Sequence, residues 1–299
     1  MSLASLLVAA GGAGSGRLGD VGALWRYPFM RHAVVAGTAV AVMCGVVGWF
    51  AVLRREAYAA HSLAMVAFPG ATTAAFLGLA PVVGYLGGGV AGAVAIAWLG
   101  RGNEGRAGHR HSAAVGSVQA AALALGLLVA SRYRGFLTDV TAFLFGSFLG
   151  VTSAQAVALV ALAVVSVAGV VAAGRPLLFA TVEPAVAAGS GVPTGALSGG
   201  FLVLVAVAVA GASQFTGVLL VFSLLVAPAA AAQALTARPA ASLGLAVALA
   251  VASTWVGVWA AFVTDRPVGF WITGIGFVTY LGARATRAAV DRAGRGGRA

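Results

Sequence analysis

Seven long stretches of this chain carry no charged side chain: residues 33–53, 57–100, 112–131, 140–174, 184–237, 239–264 and 267–283, with His61 the only histidine inside any of them. An α-helix crosses the hydrocarbon core of a bilayer with about 20 consecutive apolar residues. The longer stretches therefore hold two spans each, or one span and a buried re-entrant piece. Breaks fall at Pro81 and Gly84, and the fifth stretch turns polar at Ser213, Gln214, Phe215, Thr216 and Gly217. The pattern predicts about nine spans, over about 33–53, 59–79, 82–99, 113–131, 152–173, 197–213, 217–236, 241–263 and 267–283, or eight if one is re-entrant. The apolar runs are continuous rather than alternating, which excludes a transmembrane β-barrel. The expected fold is all-α, a polytopic transmembrane helical bundle. Its parts are an external or interfacial segment over 1–32, a transmembrane domain over 33–283 and a basic cytoplasmic tail over 284–299.

Composition sharpens this picture. Hydrophobic residues make up 61% of the 299 and charged residues 8%, against about 25% charged in ordinary soluble domains. Mean hydropathy is +1.01. A soluble globular protein, a polar disordered chain and a nucleic-acid binder are all excluded. All 18 basic residues are Arg, so the chain has no Walker-type phosphate loop, which needs its Lys. The single Cys, Cys44, excludes intrachain disulfides and multi-Cys metal sites. It is read as a packing residue.

Orientation follows the arginines. With the Arg54–Arg55 turn in the cytoplasm, Arg101, Arg106, Arg110, Arg175, Arg238 and the five arginines from Arg284 to Arg298 fall on the same side. Arg17, Arg26, Arg31, Arg132, Arg134 and Arg266 fall outside. Basic residues concentrate in cytoplasmic loops, so this two-to-one bias places the N-terminus outside and the C-terminus inside. Residues 1–20 lack a basic segment before Leu6, Leu7 and Val8, so no cleaved signal peptide is read. The basic tail is read as an anchor at anionic headgroups.

The acids narrow the energy source. Asp20, Glu56, Glu104, Asp139, Glu183, Asp265 and Asp291 all lie in loops or at span ends. Ion-driven carriers place carboxylates at mid-membrane, and charged selectivity rings need them too. Membrane hydrolases need a Ser/His/Asp set or a two-histidine metal site in the spans. By elimination, a transport path driven by a separate nucleotide-binding subunit fits, with no catalytic residue and no resident cofactor in this chain. Gly84, Gly88 and Gly92 lie on one helix face and are read as a packing stripe. His109, Arg110 and His111 are read as part of a solvated cytoplasmic loop, with capture of an exiting cation as the alternative.

Several motifs, in order, resemble the membrane subunit of ABC importers for zinc, manganese or iron. They are Phe29-Met30-Arg31 before the first span and Val52-Leu53-Arg54-Arg55 after it; Leu144-Phe145-Gly146-Ser147; Glu183-Pro184 through Ala187 to Gly191-Val192-Pro193; Gln214 to Leu220 followed by Leu224 to Ala229; and Pro267-Val268-Gly269. The resemblance runs from about Phe29 to Gly282. It implies a permease of the vitamin and metal importer type in the plasma or inner membrane, working as a homodimer or pseudo-dimer. It also implies a cytoplasmic ATP-binding subunit, an extracytoplasmic metal-binding protein, and alternating access driven by ATP bound to the partner. Glu183, Pro184, Ala187 and Gly191 would belong to the element that docks on the ATPase.

One departure bears on the cargo. After its first span the family reads Gly-Asp-x-x-x-His-x-x-x-Pro-Gly, and its Asp and His are thought to meet the metal. Here Pro69-Gly70 is present, but His61 stands at the Asp position and Met65 at the His position. Four residues apart, the two share a helix face and are the candidate metal contacts. Imidazole and thioether suit zinc, iron or copper better than hard manganese. The alternative, with His61 at the cytoplasmic interface and Met65 merely packing, stays open at this point. Two further readings are a permease for a metal chelate such as a siderophore or cobalamin, a class longer by about one span, and a membrane scaffold or enzyme with no transport role. Neighbouring genes for an ATPase and a binding lipoprotein would separate transport from the last.

Overall fold

The computed structural model describes residues 28–100, 107–131, 151–217, 221–264 and 266–296. Among these the chain forms ten helices and no strand: α1 (Pro28–Leu53), α2 (Ala57–Phe76), α3 (Pro81–Leu99), α4 (Ala107–Ala130), α5 (Ser153–Val182), α6 (Pro184–Gly189), α7 (Thr194–Thr216), α8 (Val221–Leu235), α9 (Pro239–Thr264) and α10 (Val268–Gly296). In lipid every backbone N–H and C=O must be satisfied within the segment, so continuous apolar runs become helices. Six of them (α1, α3, α4, α5, α7 and α9) are long and apolar enough to cross a membrane. Leu125, Leu127 and Leu128 on α4 and Val157, Val164 and Val171 on α5 point away from the protein. Such apolar outer faces belong against lipid tails, and the chain is a multi-pass membrane protein.

Local signals set several helix ends. Pro81 and Pro184 open α3 and α6, where a missing N–H costs nothing. Thr152 caps α5 reciprocally with Gln155, the Thr152 hydroxyl accepting from the Gln155 backbone N–H at 3.2 Å and the Gln155 side chain accepting from the Thr152 N–H at 3.0 Å, a capping box. At Gly217 the backbone takes φ +83° and α7 stops, where the polar run from Ser213 predicts a break.

Two ends differ from expectation. α5 does not stop near residue 173; it runs on through Arg175 and Pro176 to Val182, because the residues that follow are apolar and hydrogen-bond onward as helix. α10 continues past residue 283 to Gly296, its exposed end braced by an Arg287–Asp291 pair one turn apart at 3.3 Å. A charge in a membrane protein marks depth, and helices carry arginine well. The His109–His111 run is likewise helical, in the first turns of α4 rather than in a loop.

Two central helices organise the bundle. α1 packs against α5, α7, α8 and α9, and α2 against α3, α4, α7 and α8. Small residues permit the close approaches. A side chain at Gly48 would strike the Leu225 backbone of α8, and one at Gly45 the Val247 backbone of α9. The Gly84, Gly88 and Gly92 stripe of α3 faces Gly70 and Val66 of α2, the packing role read from its spacing. Scattered polar bonds join distant segments: Trp49 Nε1 donates to Ser242 Oγ at 2.9 Å, Gln233 Nε2 to the Trp49 carbonyl at 2.8 Å and Trp255 Nε1 to Thr38 Oγ1 at 2.9 Å. The first and third make α1 and α9 antiparallel.

Candidate functional site

The site is built around the α1–α2 turn. Its backbone closes by two bonds, Arg55 N–H to the Val52 carbonyl at 3.1 Å and Glu56 N–H to the Ala51 carbonyl at 2.8 Å, with Arg55 at φ 59°. This is the Schellman ending of a helix, in which glycine is usual at the left-handed position. Arg54 turns inward. Its side chain is 8% exposed and pairs with Glu56 Oε1 at 3.0 Å from Nη2 and 3.1 Å from Nε. Nη1 donates to Thr181 Oγ1 at 3.1 Å, Nη2 to Ser198 Oγ at 2.7 Å, and the guanidinium lies 5.3 Å from the Phe201 ring centre. The partners sit 127 and 144 residues away in sequence. Read along the chain, Arg54 is simply one positive charge in an inside turn, and no local pattern announces this cluster.

Beyond the turn, α2 carries His61 and Met65. Most of the helix is buried, but His61, Met65 and Phe68 are only half-buried, at i, i+4 and i+7 on one face. The His61 ring meets Phe222 of α8 edge-on, with centres 5.2 Å apart. Its Nδ1 is buried and has no hydrogen-bond partner among the described residues. Buried polar nitrogens are normally satisfied, so this atom is a donor or acceptor kept available. Next to it Ser62 Oγ donates to Gln119 Oε1 at 2.8 Å, which ties the second turn of α2 to α4. Met65 packs partly against the core. The described residues contain no group of three or more His, Cys, Asp or Glu close enough to hold a metal ion.

The second region is the segment between α5 and α7. Glu183 ends α5 and precedes α6, with no side-chain cap bond. Pro184 opens α6, and Gly191 at φ +79° closes it. The Val192 N–H donates to the Ala187 carbonyl and the Gly191 N–H to the Ala188 carbonyl, both at 3.1 Å, a second Schellman ending. Glu183, Pro184, Val186 and Gly191 are exposed while Ala187 is fully buried. The structure thus gathers Pro184 and Ala187 in one short projecting helix, with Glu183 and Gly191 at its two ends, and separates all four from His61 and Met65, which lie on α2. Ala187 is the anchor of that helix on its own chain rather than part of its outer surface. The Leu144–Ser147 motif lies outside the described residues, as do the side chains of Gln214, Phe215 and Thr216.

Comparison with known proteins agrees with this architecture. The sequence profile of the ABC 3 transport family matches residues 26–287. The chain is 28% identical over 246 residues to the manganese transport system membrane protein MntC of Halalkalibacterium halodurans, covering 82% of this chain and 83% of that one. It is 24% identical over 243 residues to the high-affinity zinc uptake system membrane protein ZnuB of Haemophilus influenzae, covering 81% and 92%. Among solved structures, PsaBC from Streptococcus pneumoniae in complex with Fab superposes with a TM-score of 0.77 at 20% identity, over 88% of this chain and 93% of that one. With the family profile running from before α1 into the basic end of α10, the chain belongs to the ABC 3 transport family.

Proposed function

We propose that this chain forms the membrane path of an importer for a divalent metal ion, paired with a second permease copy or close relative. ATP bound to a separate cytoplasmic subunit drives it, and an extracytoplasmic binding protein delivers the ion. Family membership supports the permease role, and relatives named for manganese and for zinc support a metal cargo. The observation that carries the cargo reading is the half-buried His61–Met65 face of α2 with its unpartnered Nδ1. One imidazole and one thioether bind a borderline cation weakly, which suits a path that must release its ion; backbone carbonyls, water or the second permease would complete the shell. Such ligands favour zinc or ferrous iron over manganese, which wants hard oxygen donors. The projecting α6 helix, exposed except for Ala187, docks on the ATPase.

Uptake of labelled zinc, ferrous iron and manganese by cells carrying the whole transporter tests this reading. His61→Ala should lower uptake of the preferred ion severalfold with normal permease abundance. His61→Asp with Met65→His should move preference toward manganese. Unchanged uptake of all three ions in His61→Ala would return the pair to ordinary packing.

A further inference from the structure

We propose that Arg54 is a positioning residue that transmits movement of the α6 docking segment to the metal-facing helix α2. The inference rests on the reading of α6 as the ATPase contact and extends it to the path by which the contact acts. Thr181 lies two residues before Glu183, and Ser198 five residues after Pro193. One guanidinium therefore holds both roots of the segment that carries α6, at 3.1 and 2.7 Å. The same group holds Glu56 at 3.0 Å. The Glu56 carbonyl accepts from the Ala60 N–H at 3.0 Å, so Glu56 is continuous with the first turn of α2, directly before His61. A rigid planar fork with donors on three nitrogens can bind acceptors on three separate elements at once, which an ammonium of the same charge cannot do with fixed geometry. Phe201 stacks against the fork from α7, so the group cannot swing out without breaking every tie.

Room for the movement lies beside it. A cleft lined by Leu177, Pro193, Leu197 and Phe201 opens between α5 and α7 at the base of the docking segment. When the ATPases close and push α6, the two roots shift about this cleft and Arg54 carries the shift to Glu56 and α2. Without the fork, α6 still docks and still moves, but α2 no longer follows.

The test uses the complete transporter in proteoliposomes, with its ATPase and binding protein. Ions moved per ATP hydrolysed are counted with labelled zinc, ferrous iron or manganese, whichever the unaltered complex moves fastest. Arg54→Lys keeps the charge beside Glu56 and loses the fork. It should leave ATPase association and ATP turnover near normal while lowering ions per ATP about tenfold, the scale of one or two lost charge-assisted hydrogen bonds. The double variant Thr181→Val and Ser198→Ala removes the two hydroxyl acceptors, together with the bond that the Thr181 hydroxyl donates to the Leu177 carbonyl within α5. It should uncouple in the same direction, and adding it to Arg54→Lys should produce little further loss. Normal ions per ATP in the double variant, or additive losses in the combination, would overturn the proposal. Cross-linking from a Val186→Cys variant to the ATPase separates the two levels. A cross-link with intact coupling in the Arg54 series removes only the transmission role, whereas an absent cross-link removes the docking of α6.

Discussion

At the residue scale, two left-handed positions carry opposite lessons. Gly191 ends α6 at φ +79° and has open space around it, so a methyl group there would meet no neighbour and cost only backbone strain. Arg55 ends α1 at φ 59° with the same hydrogen-bond pattern and a full side chain. The left-handed conformation costs an L-residue roughly 1–2 kcal/mol. We therefore expect Arg55→Gly to stabilise the purified permease by about 0.5–1 kcal/mol and Gly191→Ala to destabilise it by about 1 kcal/mol. Thermal unfolding in detergent, followed by tryptophan fluorescence, reads both signs. A lower midpoint for Arg55→Gly would mean that the Arg55 side chain contributes more than its conformation costs. Of these two, Gly191 is legible in the sequence as the Gly of Gly-Val-Pro. Arg55 is not, because a second arginine in an inside turn has an electrostatic explanation already.

At the element scale, α6 shows what a sequence motif conveys and what it omits. The Glu-Pro start and the Gly stop are readable because each supplies a specific backbone need: Pro184 at a first helical position, Gly191 at a left-handed stop. Which residue faces in is a property of how α6 lies on α5 and α7, and that depends on residues far along the chain. The consequence separates two neighbouring substitutions. Ala187 has no exposed surface, so Ala187→Arg forces a long charge into the anchor, lowering permease stability by several kcal/mol and its yield from membranes. Val186 is 54% exposed, and Val186→Glu should leave stability within about 0.5 kcal/mol of the unaltered chain while weakening recovery of the ATPase with the tagged permease. Retained association in a stable Val186→Glu variant would place the docking surface elsewhere. The same logic explains the helix ends read too short. The apolar pattern predicts span ends before Arg175 and before Arg284, yet α5 and α10 run on as helix through them, because an arginine at a span end suits both helix and water.

At the scale of the whole molecule, the continuous apolar runs made helix positions legible, since a bilayer leaves the backbone so few choices. The central place of α1 and α2 was not, because it rests on approaches such as Gly48 to Leu225 and on bonds such as Trp49 to Ser242, which join residues with no sequence relation. The assembled structure also groups the charges. Arg54 is tied to the end of α5 and the start of α7, and Val52, Gln233, Arg284 and Arg287 line one cleft. The C-terminal ends of α1, α5, α8 and α10 therefore share one face of the bundle, joined there by the exposed α6. Arg31, in the first turn of α1, and Arg266, before α10, belong to the opposite face. This asymmetry is the one that orients membrane proteins, basic face inward, and from it we infer that the α6 face is cytoplasmic. Reporter fusions placed after Arg238 and after Arg287 should both give a cytoplasmic signal, and a fusion after Arg266 an external one. The Arg287 fusion is the decisive member, because it lies on the same cleft as Val52, two residues from the Arg54 cluster. An external signal there would turn α6 and Arg54 away from any cytoplasmic ATPase, and the docking and transmission roles would fall together, whichever metal the chain moves.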